Sequence, residues 1–174
     1  MSGHSKWAQI KHKKGITDKK RGQLFSKLLK AIRAAARTEP NPDFNPRLRT
    51  AIETAKAASV PMDNIRRAIE GVESKNMEEL TVEGYGPGGV AFLVSAVTDN
   101  RNRTIAELRK IFGDREGKVA EPGSVLWAFE QSKDGGFTPK FPTKVDPVIK
   151  EKVSALEGDL GEHDDVIAVF TNAV

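Results

Sequence analysis

Cysteine is absent from the 174 residues, which excludes disulfides, thiolate metal sites, iron–sulfur clusters and cysteine nucleophiles together, and fits a reducing compartment. Aromatic residues are scarce at 6%, with two tryptophans and one tyrosine. No apolar run approaches the roughly 20 residues that a helical membrane span requires, so no membrane partner is expected. Acidic residues are nearly missing from the first 37 positions, where Asp18 stands alone against eleven Lys and Arg. The start, MSGHSKWAQIKHKK, has no apolar centre for a secretion signal, and its lysine-rich, arginine-free character is unlike a mitochondrial presequence. The expected location is therefore the cytoplasm. What is present, 38% hydrophobic and 30% charged residues, suffices for one or two compact domains with a sizeable core.

The charge is segregated along the chain. Residues 1–75 hold 17 Lys and Arg against 7 Asp and Glu, a net +10, whereas residues 76–174 hold 11 against 17, a net −6, and the two return the +4 of the whole. Crowded ammonium groups repel one another and gain nothing from folding unless an anion neutralises them. Such an asymmetry points to a polyanionic partner at the amino end.

Three stretches follow from the pattern: a basic arm over 1–19, a helical domain over 20–80 and an α+β domain over 81–174. The arm carries Lys6, Lys11, Lys13, Lys14 and Lys19 around Trp7, Ile10 and His12, without an apolar stripe long enough to fold alone. From 20 to 37, Leu24, Phe25, Leu28, Leu29, Ile32, Ala35 and Ala36 fall within one arc of about 140° at 100° per residue. Lys27, Lys30, Arg33 and Arg37 fall opposite and predict a cationic ridge that continues Lys20 and Arg21. Three prolines in EPNPDFNP (39–46) enforce a loop. Helical spacing returns over 47–59 and 61–71, with Gly71 as terminator.

The period then switches to that of a sheet. VAFLVSAV (90–97) reads as a buried strand, 104–112 as a helix, 125–131 as a strand, 137–145 as a weak, proline-bearing edge strand, Pro147 as the opening of a helix, and 166–171 as a closing strand. The order β-α-β-β-α-β predicts a ferredoxin-like split β-α-β domain, with two helices on one sheet face.

The motifs divide between binding and structure. Trp7, set among lysines, either stacks on an unpaired base or pins the arm to the helices. YGPGG (85–89) lacks the GxxxxGK[ST] order of a phosphate loop and reads as a connector with unusual backbone angles. DNRNRT (99–104) reads as a capped helix start with two solvated arginines, with Arg101 and Arg103 as an alternative secondary anion contact. Trp127 and Phe129 alternate on the expected strand and are assigned to core packing ahead of a base-stacking platform. GEHDDV (161–166) is taken as a turn without a metal, and His4 and His12 are isolated. No constellation sets a nucleophile beside its base or pairs two carboxylates, so the reading is a non-enzyme without cofactor or metal.

GHSKWAQIKHKK, DKKRGQLFSKLLKAI, NPRLRTAIETAKAASVPMDNIRRAI, EGYGPGGVAFLV, TDNRNRTIAELR, GSVLWAFE and the ending HDDVIAVFTN together resemble successive blocks of the YebC family. That family is described both as DNA-binding transcriptional regulators and as ribosome-associated translation factors, among them mitochondrial translational activators of cytochrome oxidase. The resemblance implies that Lys6, Trp7, Lys11, His12, Lys13 and Lys14 stand in the family's basic amino-terminal segment. It also implies a short form, because typical members carry a further small domain where only SKDGG (132–136) joins the flanking segments here. The expected function is nucleic-acid binding in gene expression, with ribosomal RNA or the ribosome favoured and duplex DNA the alternative; a protein–protein adaptor using the acidic half is a third reading. The expected contacts are Lys6, Trp7, Lys11, His12, Lys13, Lys14, Lys19, Lys20, Arg21, Lys27, Lys30 and Arg33.

Overall fold

The structure is a computed structural model that describes residues 18–71, 77–133 and 136–174. Lys6, Trp7, Lys11, His12, Lys13 and Lys14 lie outside the described residues. Helix α1 (Asp18–Ala36) opens the chain and is followed by α2 (Pro46–Ala57) and α3 (Met62–Glu70). Their shared core is built from Leu28, Ile32, Leu48, Ala55, Ile65 and Ala68, which are the positions that helical spacing selects. Asn45 joins the first two helices. Its side-chain oxygen accepts from the Leu48 amide at 3.0 Å, capping α2, while Nδ2 donates to Ala35 O at 2.9 Å and Glu39 O at 2.8 Å.

The remaining chain is α+β: β1 (Glu78–Tyr85), β2 (Ala91–Thr98), α4 (Arg101–Asp114), β3 (Lys118–Val119), β4 (Phe129–Gln131), β5 (Phe137–Pro139), α5 (Pro147–Glu162) and β6 (Val166–Thr171). Four strands form one antiparallel sheet in the order β3-β1-β2-β6. A split β-α-β unit is present, because β2 and β3 are joined through α4 and β1 lies between them. As expected, two helices cover one face: Phe92, Val94, Leu108, Phe112, Leu156 and Leu160 are fully buried between the sheet, α4 and α5. Phe92 and Phe112 meet edge to face at 5.8 Å.

The identity of the strands differs from the β-α-β-β-α-β expectation. β1 is an additional strand, and it starts at Glu78, ahead of the expected domain start at residue 81. Its alternation is weak because Gly84 follows Leu80 and Val82 on the face toward the helices, and the opposite face buries a carboxylate, Glu83. Residues 125–131 are not a strand of the main sheet. Leu126–Ala128 form a 3-10 turn and only 129–131 are extended, pairing with β5 in a separate two-stranded hairpin. The stretch after Pro139 is not a continuous edge strand: Pro142 has no amide to donate, the Lys140 amide turns back to Ala128 O, and the stretch meets the chain end through an isolated bridge between Thr143 and Ala173.

The connector at 85–89 behaves as its sequence requires. Pro87–Gly89 make a 3-10 turn with Gly88 at φ +69°, a left-handed conformation that side-chain-bearing residues rarely adopt. A Cβ there would also lie 2.7 Å from Ile149 Cγ2 of α5.

The second sheet face is shared. Leu93, Ala91 and Phe170 pack against Phe129 and Phe137 of the hairpin, while at the other end of β2, Val97 packs against Ala34 of α1 with Met77 and Ile167.

Candidate nucleic-acid interface

Helix α1 carries the described part of the expected interface, and the sheet contact decides which of its cations are available. Lys27, Lys30 and Ala34 share one side of the helix, because seven residues turn it nearly twice. That side faces the sheet. Lys27 is buried, and its Nζ donates to Gly161 O at the end of α5. Lys30 Nζ donates to Asp164 O at 3.1 Å and to Asp165 Oδ1 at 3.0 Å. Arg33 is half-buried in the same cleft. The expected solvent-facing ridge is therefore corrected: Lys27 and Lys30 join the helical unit to the sheet. The run Ala34, Ala35, Ala36, buried on all sides, permits this, since small residues let one helix end pack against two neighbours.

Lys19, Lys20 and Arg21, in the first turns of α1, are exposed. Arg21 lies 3.9 Å from Asp18, a surface pair worth little against solvent screening. These three cations continue directly from the arm.

Asp165 is the centre of the cleft and had no role in the sequence reading. Its Oδ1 accepts from Lys30, and its Oδ2 accepts from Arg103 at 3.0 Å and Thr104 Oγ1 at 2.8 Å. Burial on its own would raise the carboxyl's pKa, but hydrogen bonds from Lys30, Thr104 and Arg103, with the charge of Lys30, outweigh this and hold it at about 2. Arg103 also binds Asp99 at 2.9 Å, and these hydrogen bonds, that to Asp165 foremost, raise its own pKa. Arg103, expected as a solvated arginine, is thus paired with two carboxylates of the same chain. Arg101 is exposed. Asn100 caps α4 by accepting from the Arg103 amide at 3.1 Å, as the DNRNRT pattern implies.

His163 completes the network. Its Nδ1 accepts from the Asp165 amide at 3.1 Å, so the other ring nitrogen carries the proton and donates to Glu107 at 2.6 Å. Glu107, His163 and Asp165 offer ligand atoms within 4.8 Å of one another, yet Asp165 is already saturated by the protein's own cations. The cleft, of about 620 Å³, is lined by three basic side chains (Lys30, Arg33, Arg103) against five acidic ones (Asp99, Glu107, Glu162, Asp164, Asp165). Such a balance does not attract phosphate. The sequence signals for this site are the HDDV ending and DNRNRT (99–104), and nothing in their spacing names Lys30 or Arg103 as partners of Asp165.

Trp127 differs from its core assignment. Phe129 is buried at 4% exposure, but Trp127 stands 63% exposed in the 3-10 turn, where alternation fails. Among the described residues no helix is long and apolar enough to cross a membrane.

Comparison with known proteins agrees with this architecture. Residues 5–75 match the family model described as the TACO1/YebC protein N-terminal domain, and residues 77–134 match that of the TACO1/YebC second and third domain. A probable transcriptional regulatory protein of Desulfosudis oleivorans is 47% identical over 178 residues, covering 98% of this chain and 71% of the relative. One of Koribacter versatilis is 56% identical over 133 residues, covering 74% and 54%. The chain thus spans about half to seven tenths of the length of these relatives. The crystal structure of a conserved hypothetical protein from Aquifex aeolicus superposes with a TM-score of 0.83 at 36% identity, covering 98% of this chain and 97% of that one. On the strength of both the sequence relatives and the shared fold, the chain belongs to the TACO1/YebC family.

Proposed function

We propose that this protein is a non-catalytic, cytoplasmic nucleic-acid-binding regulator of gene expression that works as an RNA- or ribosome-associated translation factor. The observation that carries the reading is the concentration of eleven cations against one acid in residues 1–37, continued into the exposed Lys19, Lys20 and Arg21 of an ordered helix. Lys6, Trp7, Lys11, His12, Lys13 and Lys14 supply the remaining contacts. With the cleft lined mainly by acids, the phosphate-binding surface is the arm and the start of α1. RNA is favoured because an arm of cations with an aromatic suits irregular, partly unpaired strands, and no dimeric recognition-helix design with half-site spacing is evident.

A second reading, a DNA-binding transcriptional regulator, is favoured by the names of the relatives. Competition between ribosomal RNA fragments and duplex promoter DNA at matched salt separates the two. A preference for RNA is expected, and clear selection of one duplex sequence would replace the first reading with the second. If about six cations meet phosphates, log K falls with log salt at a slope near −5. Reversing Lys11, Lys13 and Lys14 to Glu is expected to weaken binding and flatten that slope by about three. Unchanged affinity and slope would remove those lysines from the interface.

A further inference from the structure

We propose that Trp127 and Phe141 form a stacking platform for unpaired bases of a single-stranded nucleic acid, a second contact surface apart from the basic arm. This rests on the nucleic-acid reading above and extends it to the hairpin side of the sheet. Trp127 and Phe141 are 63% and 56% exposed, their ring centroids are 5.5 Å apart and their planes are inclined at 48°. They are therefore two adjacent, splayed planes, each with surface open to solvent.

The turn that presents Trp127 is held firmly. Buried Glu83 of β1 accepts from the backbone amides of Gly123, Val125 and Leu126, the last two at 2.8 Å. The Trp127 indole N–H donates to Ser124 O at 2.8 Å, and Tyr85 Oη donates to the same carbonyl at 3.2 Å. With its one polar group satisfied internally, the indole offers only its π surface. Opposite it, the Lys140 amide donates to Ala128 O at 2.8 Å, which sets Phe141 beside the turn.

Charge selects the occupant. The second half of the chain is net acidic, yet residues 131–145 hold Lys133, Lys140 and Lys144 against a single acid, Asp134. All three lysines are exposed. Aromatic planes interleaved with cations are what single-strand binding uses, the rings stacking on bases and the ammonium groups meeting phosphates. The two rings and neighbouring Leu126, 42% exposed, present on the order of 350 Å². A standard protein interface needs about 800 Å² per partner, so this patch falls short of one. It also lies on the sheet face that α1 covers. Leu93 under the hairpin and Val97 under α1 are four residues apart on β2, about 13 Å at roughly 3.3 Å per residue.

The test uses the full chain with a 12-nucleotide pyrimidine ribo-oligonucleotide and a duplex of matched length. Trp127→Ala and Phe141→Ala should each weaken single-strand binding by about fivefold or more while leaving duplex binding and thermal unfolding unchanged. Trp127→Phe should restore most of the loss. In a Trp7→Phe background Trp127 is the only indole, and its fluorescence should be quenched as the oligonucleotide saturates. Binding that leaves this fluorescence and the alanine variants unaffected overturns the platform while the arm reading stands. Equal losses for single strand and duplex also overturn it. So does a fluorescence change that follows protein concentration without oligonucleotide, which would assign the patch to a second copy. If the wild-type chain binds neither probe, the arm reading and the platform fall together.

Discussion

At the scale of single residues, Asp165 shows how a surface-looking acidic motif becomes a structural centre. Its carboxylate is stabilised by two cations and a hydroxyl from α1 and α4, and its pKa near 2 makes that stabilisation dependent on pH. A carboxyl with a folded pKa below its unfolded value of about 3.9 adds stability above that value and loses it as pH falls toward 2, here on the order of 2 kcal/mol. Urea unfolding of wild type and Asp165→Asn is therefore expected to differ most at pH 5–7, with the gap closing as pH falls toward 2. A gap that stays constant across that range would show that the carboxylate's charge is not what matters. Little of this was legible in the sequence: HDDV reads as a turn, and its partners lie 62 and 135 residues away. Lys27 was misplaced for a related reason, since a helical wheel marks the apolar face but not a second face on which lysine stems are covered and only their ends reach a carbonyl.

Among the elements, periodicity located four of the five described helices to within three residues and the start of α5 at Pro147, because their apolar positions and caps are local signals. Asn45 is the clearest case. Asn45→Ala removes a cap from α2 and a donor from the carbonyls of Ala35 and Glu39, and should lower stability by about 1–3 kcal/mol, measured by thermal or urea unfolding. A loss confined to a few tenths would show that water replaces all three bonds. Strands were less legible. β2, continuously apolar, was read correctly, whereas β1 hides behind Glu83, which is buried at 6% exposure to hold a loop by its amides. Substitution of Glu83 by Ala leaves those amides without their acceptor and should cost about 2 kcal/mol or more. It should also shift Trp127 emission in the Trp7→Phe background, because the turn beneath the indole loosens. Unaltered emission and stability would mean that the turn holds itself.

Taken as a whole, the molecule is two cores joined by polar clamps over a small apolar contact. Ala34, Met77, Val97 and Ile167 form that contact. Around it Lys27 binds Gly161, Lys30 binds Asp164 and Asp165, Arg37 donates to Met77 O, and Arg47 pairs with Glu79. Lys27→Met with Lys30→Met should uncouple the cores, splitting one calorimetric transition into two. A single transition at unchanged temperature would place the coupling in the apolar contact alone. The charge segregation was plain from the sequence, but not that part of the basic half is consumed in holding the acidic half. The hairpin of β4 and β5 has a different consequence. Among the described residues it forms a ladder only with itself, and it lies on the sheet through side chains. The junction between β4 and β5 is therefore a place where evolution or an engineer can graft a foreign module, lengthening the chain there without unpicking a rung of the four-stranded sheet.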